Sequence, residues 1–166
     1  MLDILSIWKR DFGPGVMTPV QEEAIRHILR RRDALVVMPA GEDRDLCFQV
    51  PAMLMSGFTL VLSTRFPEHV ADGKVLYARP WRLPQALAWL RRRPISLFVI
   101  DEVERMEEWR ADHLPAYAGL GALRRRFPWV PIVALSADSD DLLRHYAFSQ
   151  LWLRGWAVFE DVSSPV

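Results

Sequence analysis

Four apolar runs decide what this 166-residue chain can fold into. Ala34 to Met38, Phe58 to Leu62, Leu97 to Ile100 and Ile132 to Leu135 are continuously apolar rather than alternating. A strand of that pattern is covered on both faces, as in a parallel sheet sandwiched between helices. Segments with helical apolar spacing lie between the runs. Val20 to Arg30 opens with a capping Thr18 and with Pro19 at the first helical position. Asp45 to Met55, Pro84 to Arg93, Pro115 to Arg126 and Ser139 to Leu151 follow. Lys74 to Tyr77 and Ala157 to Phe159 are lesser strand candidates. The alternation predicts an α/β fold: a doubly wound, mostly parallel sheet flanked by helices over 1–162, with 163–166 as a frayed tail.

At 51% hydrophobic and 25% charged residues, the chain can bury one core unaided. A formal net charge of zero excludes a globally basic nucleic-acid binder but leaves room for a locally polarised one. No apolar run approaches the ~20 residues of a membrane span, so no membrane partner is expected. The start, Met1-Leu2-Asp3-Ile4, lacks the basic n-region of a signal peptide. A lone Cys47 builds no disulfide framework, and a reducing cytoplasm is the expected compartment. The four histidines have no metal-ligand spacing with Cys47, and no Ser–His–Asp set stands on a nucleophile elbow.

In such sheets chemistry sits where strand carboxyl ends meet helix amino ends. Two loops stand there: Met38-Pro39-Ala40-Gly41-Glu42-Asp43-Arg44-Asp45, running into Leu46-Cys47-Phe48-Gln49, and Asp101-Glu102 after Val99-Ile100. Together they resemble the N-terminal RecA-like lobe of the RecQ family of ATP-dependent DNA helicases, in superfamily 2. That family reads M-P-T-G-A-G-K-S-L-C-Y-Q at the first loop and D-E-A-H at the second. Phe12-Gly13, Pro19 and Gln21-Glu22-Glu23 resemble its adenine-reading segment. Trp109, Asp112, Pro115, Tyr117, Leu120-Gly121 and Arg126-Phe127-Pro128 match the stretch containing its aromatic-rich loop, and Ala134-Leu135-Ser136-Ala137-Asp138 stands for its A-L-T-A-T. The resemblance implies a nucleotide site at Gln21, Gly41, Arg44 and Asp45. It further implies Asp101 and Glu102 as the catalytic acids, with Asp101 on magnesium. Trp109, Arg110, Arg79 and Trp81 become candidates for contacting nucleic acid.

The departures bear on activity. A phosphate loop uses backbone N–H groups as a cradle, a Lys for the terminal phosphates and a hydroxyl for magnesium. Where the family has Ala-Gly-Lys-Ser, this chain has Glu42-Asp43-Arg44-Asp45. Asp43 removes a Gly that lets backbone approach a ligand closely, and Arg for Lys is not conservative at such sites. The acids repel a triphosphate, at about 4 kcal/mol per like-charge pair ~4 Å apart in an effective dielectric of 20. Asp45 is expected to cap the following helix instead. Gln21 either contacts adenine or bonds within its own loop. Only Thr64 to Gly73 separates two strands where the family has a longer stretch, leaving Arg65, Arg79, Arg82 and Trp81 on that side. The triplets Arg30–Arg32, Arg91–Arg93 and Arg124–Arg126 end helices, where cations complement the helix dipole. They are expected along the edge opposite an acidic loop edge.

The expectation is a helicase-like lobe without ATPase or unwinding activity of its own, acting as a protein-interaction or nucleic-acid-associated module. No cofactor is then expected. ATP and Mg2+ would serve only a functional nucleotide site, in the alternative of a divergent ATPase lobe working with a separate second lobe. Partners are a protein or that second lobe, with DNA bound weakly.

Overall fold

The computed structural model describes residues 3–65, 73–106, 114–138 and 140–161. In chain order the elements are α1 (Ile4–Asp11), α2 (Pro19–Leu29), β1 (Ala34–Val37), α3 (Glu42–Leu54), β2 (Phe58–Leu62) and β3 (Val75–Ala78). Then come α4 (Leu83–Trp89), β4 (Ile95–Ile100), α5 (Leu114–Arg126), β5 (Ile132–Ser136), α6 (Asp141–Leu151) and β6 (Ala157–Glu160). The strands form one six-stranded sheet in the order β3-β2-β4-β5-β1-β6, and every pairing is parallel. Helices cover both faces, as the continuous apolarity of the strands requires.

The side-chain period of two sorts each strand between two cores. Leu35, Val37, Leu60, Leu62, Phe98 and Ile100 face α4, α5 and α6. Val36, Val61, Val99, Val133 and Leu135 face α2 and α3, through Ala24, Ile28, Cys47 and Phe48. At Gly57, before β2, a Cβ would lie 2.8 Å from the Pro94 carbonyl oxygen, so only glycine lets the β2 and β4 entries approach this closely.

Helix α1 is absent from the sequence reading. It is one amphipathic turn-pair, too short to show a period, capped by Asp3, whose carboxylate accepts from the Leu5 amide at 3.3 Å. Ile4 and Trp8 pack on Ile25, Leu46 and Val50 as a third, smaller cluster. Helix α4 ends at Trp89, so Arg91 to Arg93 lie beyond it in a turn that Pro94 closes. The tail 163–166 lies outside the described residues. Among the described residues, no helix is long and apolar enough to cross a membrane.

Arg124 departs from its expected dipole-complementing role. It is 4% exposed and ion-paired with Asp33, itself 2% exposed. Its guanidinium also donates to the Val130 carbonyl at 3.2 Å, while Asp33 accepts from the Ile132 amide at 2.8 Å. The pair therefore ties the entries of β1 and β5 to the end of α5. Removing one partner of a buried pair strands the other charge and costs about 3–5 kcal/mol. Arg124→Met should lose stability of that order in urea unfolding, whereas Arg125→Met, at an exposed site, should stay within about 0.5 kcal/mol of the parent. Equal stabilities of the two variants would refute the structural role of Arg124.

Candidate functional site

The carboxyl ends of β1, β2 and β4 bring together residues far apart in sequence. Asp101 follows the last residue of β4, and its amide donates to Leu62 on β2 at 2.9 Å, extending the ladder by one step. Its carboxylate is fully buried. Oδ1 accepts from Arg44 at 2.9 Å. Oδ2 accepts from the Ser63 hydroxyl at 2.6 Å and from Arg65 Nε at 2.7 Å. The other arm of Arg65 donates to Asp45 at 2.6 Å. The result is an alternating chain, Arg44–Asp101–Arg65–Asp45, of two cations and two anions.

Among the described residues, Arg44 is the largest fully buried side chain, at 0% exposure. It points into the fold rather than out of the loop, giving its remaining arm to the Met38 carbonyl at 3.3 Å. Its Nε has no acceptor, a desolvation cost of roughly 1–3 kcal/mol that the pairing with Asp101 must offset. Asp45 does not cap the helix. Gly41 is the N-cap of α3, with φ 152° and no side-chain hydrogen bond, and Asp45 sits one turn in, facing Arg65. The charge exchange at 44 and 45 announces a need for a counter-cation. What the sequence hides is that Arg65, an apparent phosphate-side residue, supplies it. Ser63 likewise gives no sequence signal as a partner of Asp101.

Glu102 has left-handed backbone geometry, with φ 56°. Its carboxylate accepts from the Thr64 amide at 3.2 Å and from the Thr64 hydroxyl, and Arg105 lies 3.4 Å away. Gln21 serves its own neighbourhood. Its Oε1 accepts from the Thr18 amide at 2.8 Å in a capping box, and its Nε2 donates to the Asp43 carbonyl at 3.0 Å. Arg79 donates to the Thr64 carbonyl, and Trp81 lies in the 3-10 turn Pro80–Arg82 beyond β3. Trp109 and Arg110 lie outside the described residues.

The loop Met38 to Asp43 borders a cavity of about 350 Å³ that Asp161 also lines. Glu42, Asp43 and Asp161 make its rim acidic where a phosphate cradle is electropositive. These are the residues that a magnesium nucleotide would meet. Both oxygens of Asp101 are engaged by arginines and a serine, no hydroxyl stands at position 45, and the cation at 44 is turned inward. Among the described residues no group of acids, histidines or cysteines is placed to hold a metal.

No protein-family model matches the chain. It is 30% identical over 191 aligned positions to the ATP-dependent DNA helicase RecQ of Haemophilus influenzae, covering 89% of this chain and 30% of that protein. It is 30% identical over 163 positions to the probable ATP-dependent DNA helicase RecS of Bacillus subtilis, covering 77% of this chain and 33% of that one. The chain is a RecQ-like helicase lobe. Its fold agrees: the structure of the helicase MrfA bound to DNA matches 97% of the lobe and 28% of that chain, with a TM-score of 0.68 at 12% identity. The lobe spans about a third of the length of these curated relatives. The Haemophilus alignment runs over 191 positions, more than the 166 residues of the lobe, so that relative carries residues the lobe lacks.

Burial raises the pKa of Asp45 above its ordinary value and outweighs the opposing pull of Arg65. Burial disfavours the charge of Arg65, but its bonds to Asp45 and Asp101 prevail and hold its pKa above the usual range. A carboxyl with a raised folded-state pKa binds its proton more tightly in the folded state. It therefore costs stability as pH rises from the ordinary carboxylate pKa through the raised one. Asp45→Asn removes that contribution. Its urea-unfolding free energy between about pH 4 and pH 7 should fall less steeply, or rise more steeply, than the parent's. The same pH dependence in both proteins would mean that burial and Arg65 cancel at this carboxylate, and a steeper fall in the variant would mean that Arg65 governs it.

Proposed function

We propose that the RecQ-like lobe acts by binding, as a protein-interaction or nucleic-acid-associated module, and has neither ATPase nor unwinding activity of its own. The observation that carries this reading is the saturated carboxylate of Asp101, held between Arg44 and Arg65 in a fully buried position. Magnesium bound there would have to displace two guanidinium groups. Breaking one buried pair costs about 3–5 kcal/mol, comparable to the whole −4.1 kcal/mol of a millimolar ligand. The acidic rim of the loop cavity adds repulsion toward any triphosphate. Glu102 supports the same conclusion, because Thr64 and Arg105 occupy the carboxylate that would orient an attacking water.

The relatives are named as ATP-dependent DNA helicases, and they are about three times as long as the lobe. A divergent ATPase lobe completed by a second lobe is the competing reading. It requires Arg44 to leave its buried site on closure, which nothing in the local packing favours.

Calorimetric titration of the lobe with magnesium-ATP up to about 1 mM should give no binding heat. Submillimolar affinity would overturn the proposal. Restoring the family pattern with Asp43→Gly, Arg44→Lys and Asp45→Ser should still not suffice, because Arg65 would keep its hold on Asp101. Adding Arg65→Ala to those three should produce the first measurable magnesium-dependent binding. Equal binding by the triple and quadruple variants would mean that Arg65 is irrelevant to the block.

A further inference from the structure

Among the described residues, the exposed charges before β4, β5, β1 and β6, on the edge of the sheet opposite the loop site, are all of one sign. Arg30, Arg31 and Arg32 precede β1, Arg91, Arg92 and Arg93 precede β4, Arg125 and Arg126 precede β5, and Arg154 precedes β6. All nine are exposed. None of their guanidiniums has a carboxylate partner among the described residues. The entries to β4, β5, β1 and β6 are consecutive in the sheet, so these cations form a continuous band across strands ~4.8 Å apart. The one acid on those entries, Asp33, is buried and spent on Arg124.

Aromatic rings interleave with the band. Arg93 lies 4.1 Å from the centre of the Trp89 ring, and Arg126 lies 5.6 Å from that of Phe127. Guanidiniums stacked this way have their planes held and keep N–H edges for solvent or phosphate. Trp129 stands between the β4 and β1 entries, 65% exposed, beside a groove of about 370 Å³ lined by Arg91, Arg93, Ile95, Arg126 and Phe127.

We propose that this edge binds single-stranded nucleic acid, with the arginine band following the phosphates and Trp129 stacking a base over the groove. Charge complementarity names a polyanion, and the exposed indole selects one with planar bases over an acidic protein segment. The binding is indifferent to sequence, because the groove walls offer guanidinium and apolar surface but no paired donors and acceptors for a base edge. The surface lies at the opposite end of the strands from the loop site, so its occupancy does not depend on the nucleotide reading above.

The test is fluorescence anisotropy with an end-labelled oligo-dT of about 15 nucleotides, without nucleotide, over a salt series starting near 50 mM. The lobe should bind with micromolar affinity that falls steeply with salt. Arg91→Ser, Arg92→Ser and Arg93→Ser together should weaken binding at least tenfold and flatten the salt dependence. Trp129→Ala should weaken it about tenfold and leave the salt slope unchanged. Arg26→Ser, on the exposed face of α2, should have no effect. All of these substitutions are at exposed positions, and melting curves confirm that each variant is folded. No binding by the parent overturns the proposal, as do amino-edge variants that bind like the parent. Polyglutamate competing as well as oligo-dT, with Trp129→Ala silent, would show a surface for acidic proteins and also overturn it.

Discussion

The buried chain of four charges at the carboxyl edge is the constraint around which the rest of the lobe is arranged. Two fully desolvated ions are tolerable only because their partners are fixed to separate, rigid elements. Arg44 and Asp45 belong to the first turn of α3, Arg65 follows β2, and Asp101 ends β4. Each element places its ion within hydrogen-bond range, and losing Asp101 would leave the fully buried Arg44 without a counter-ion. The ions lie between the loop after β1 and the acidic end of β4.

Hydrophobic pattern made the layers legible. Strands β1, β2, β4 and β5 follow from unbroken apolar runs, and helix α2 from Thr18 and Pro19, because burial on two faces and capping leave direct traces in residue type. The weaker β3 and β6 were legible as candidates. Helix α1 was not, since eight residues carry too few periods to distinguish from a loop. At the site, the two loops could be read, but the direction of each side chain could not. Asp45 suits a cap by residue type, yet Gly41 takes that place and a neighbouring arginine decides where Asp45 points. Arg124 belongs to a run of three arginines that look alike, and only the fold singles it out for burial against Asp33. Long-range ion pairs leave no periodicity to read.

The two ends of the strands carry opposite signs even though the chain as a whole is neutral. Glu42, Asp43, Asp138, Asp140 and Asp141 are exposed at the carboxyl end, and the arginines at the amino end. Parallel topology produces this separation economically. Every strand enters from one end and leaves from the other, so residues placed before strands and residues placed after them never mix. A neutral composition thus conceals a strongly polarised body, and net charge alone says little about which macromolecules it attracts.

The sheet order has a consequence for how the lobe comes into being. β1, the first strand in the sequence, lies between β5 and β6, the last two, pairing Val36 with Leu135 on one side and with Phe159 on the other. On a ribosome that adds about 5–20 residues per second, the strand bearing the phosphate-type loop emerges early and waits for both neighbours. Until Glu160 has been made, β1 has an open hydrogen-bonding edge and the lobe cannot be complete. A nascent chain halted after α5 would hold the acidic and basic residues of the ion chain but lack the strands that clasp β1. The lobe is thus an all-or-nothing unit of synthesis, with its amino-terminal strand locked in by its carboxyl-terminal one.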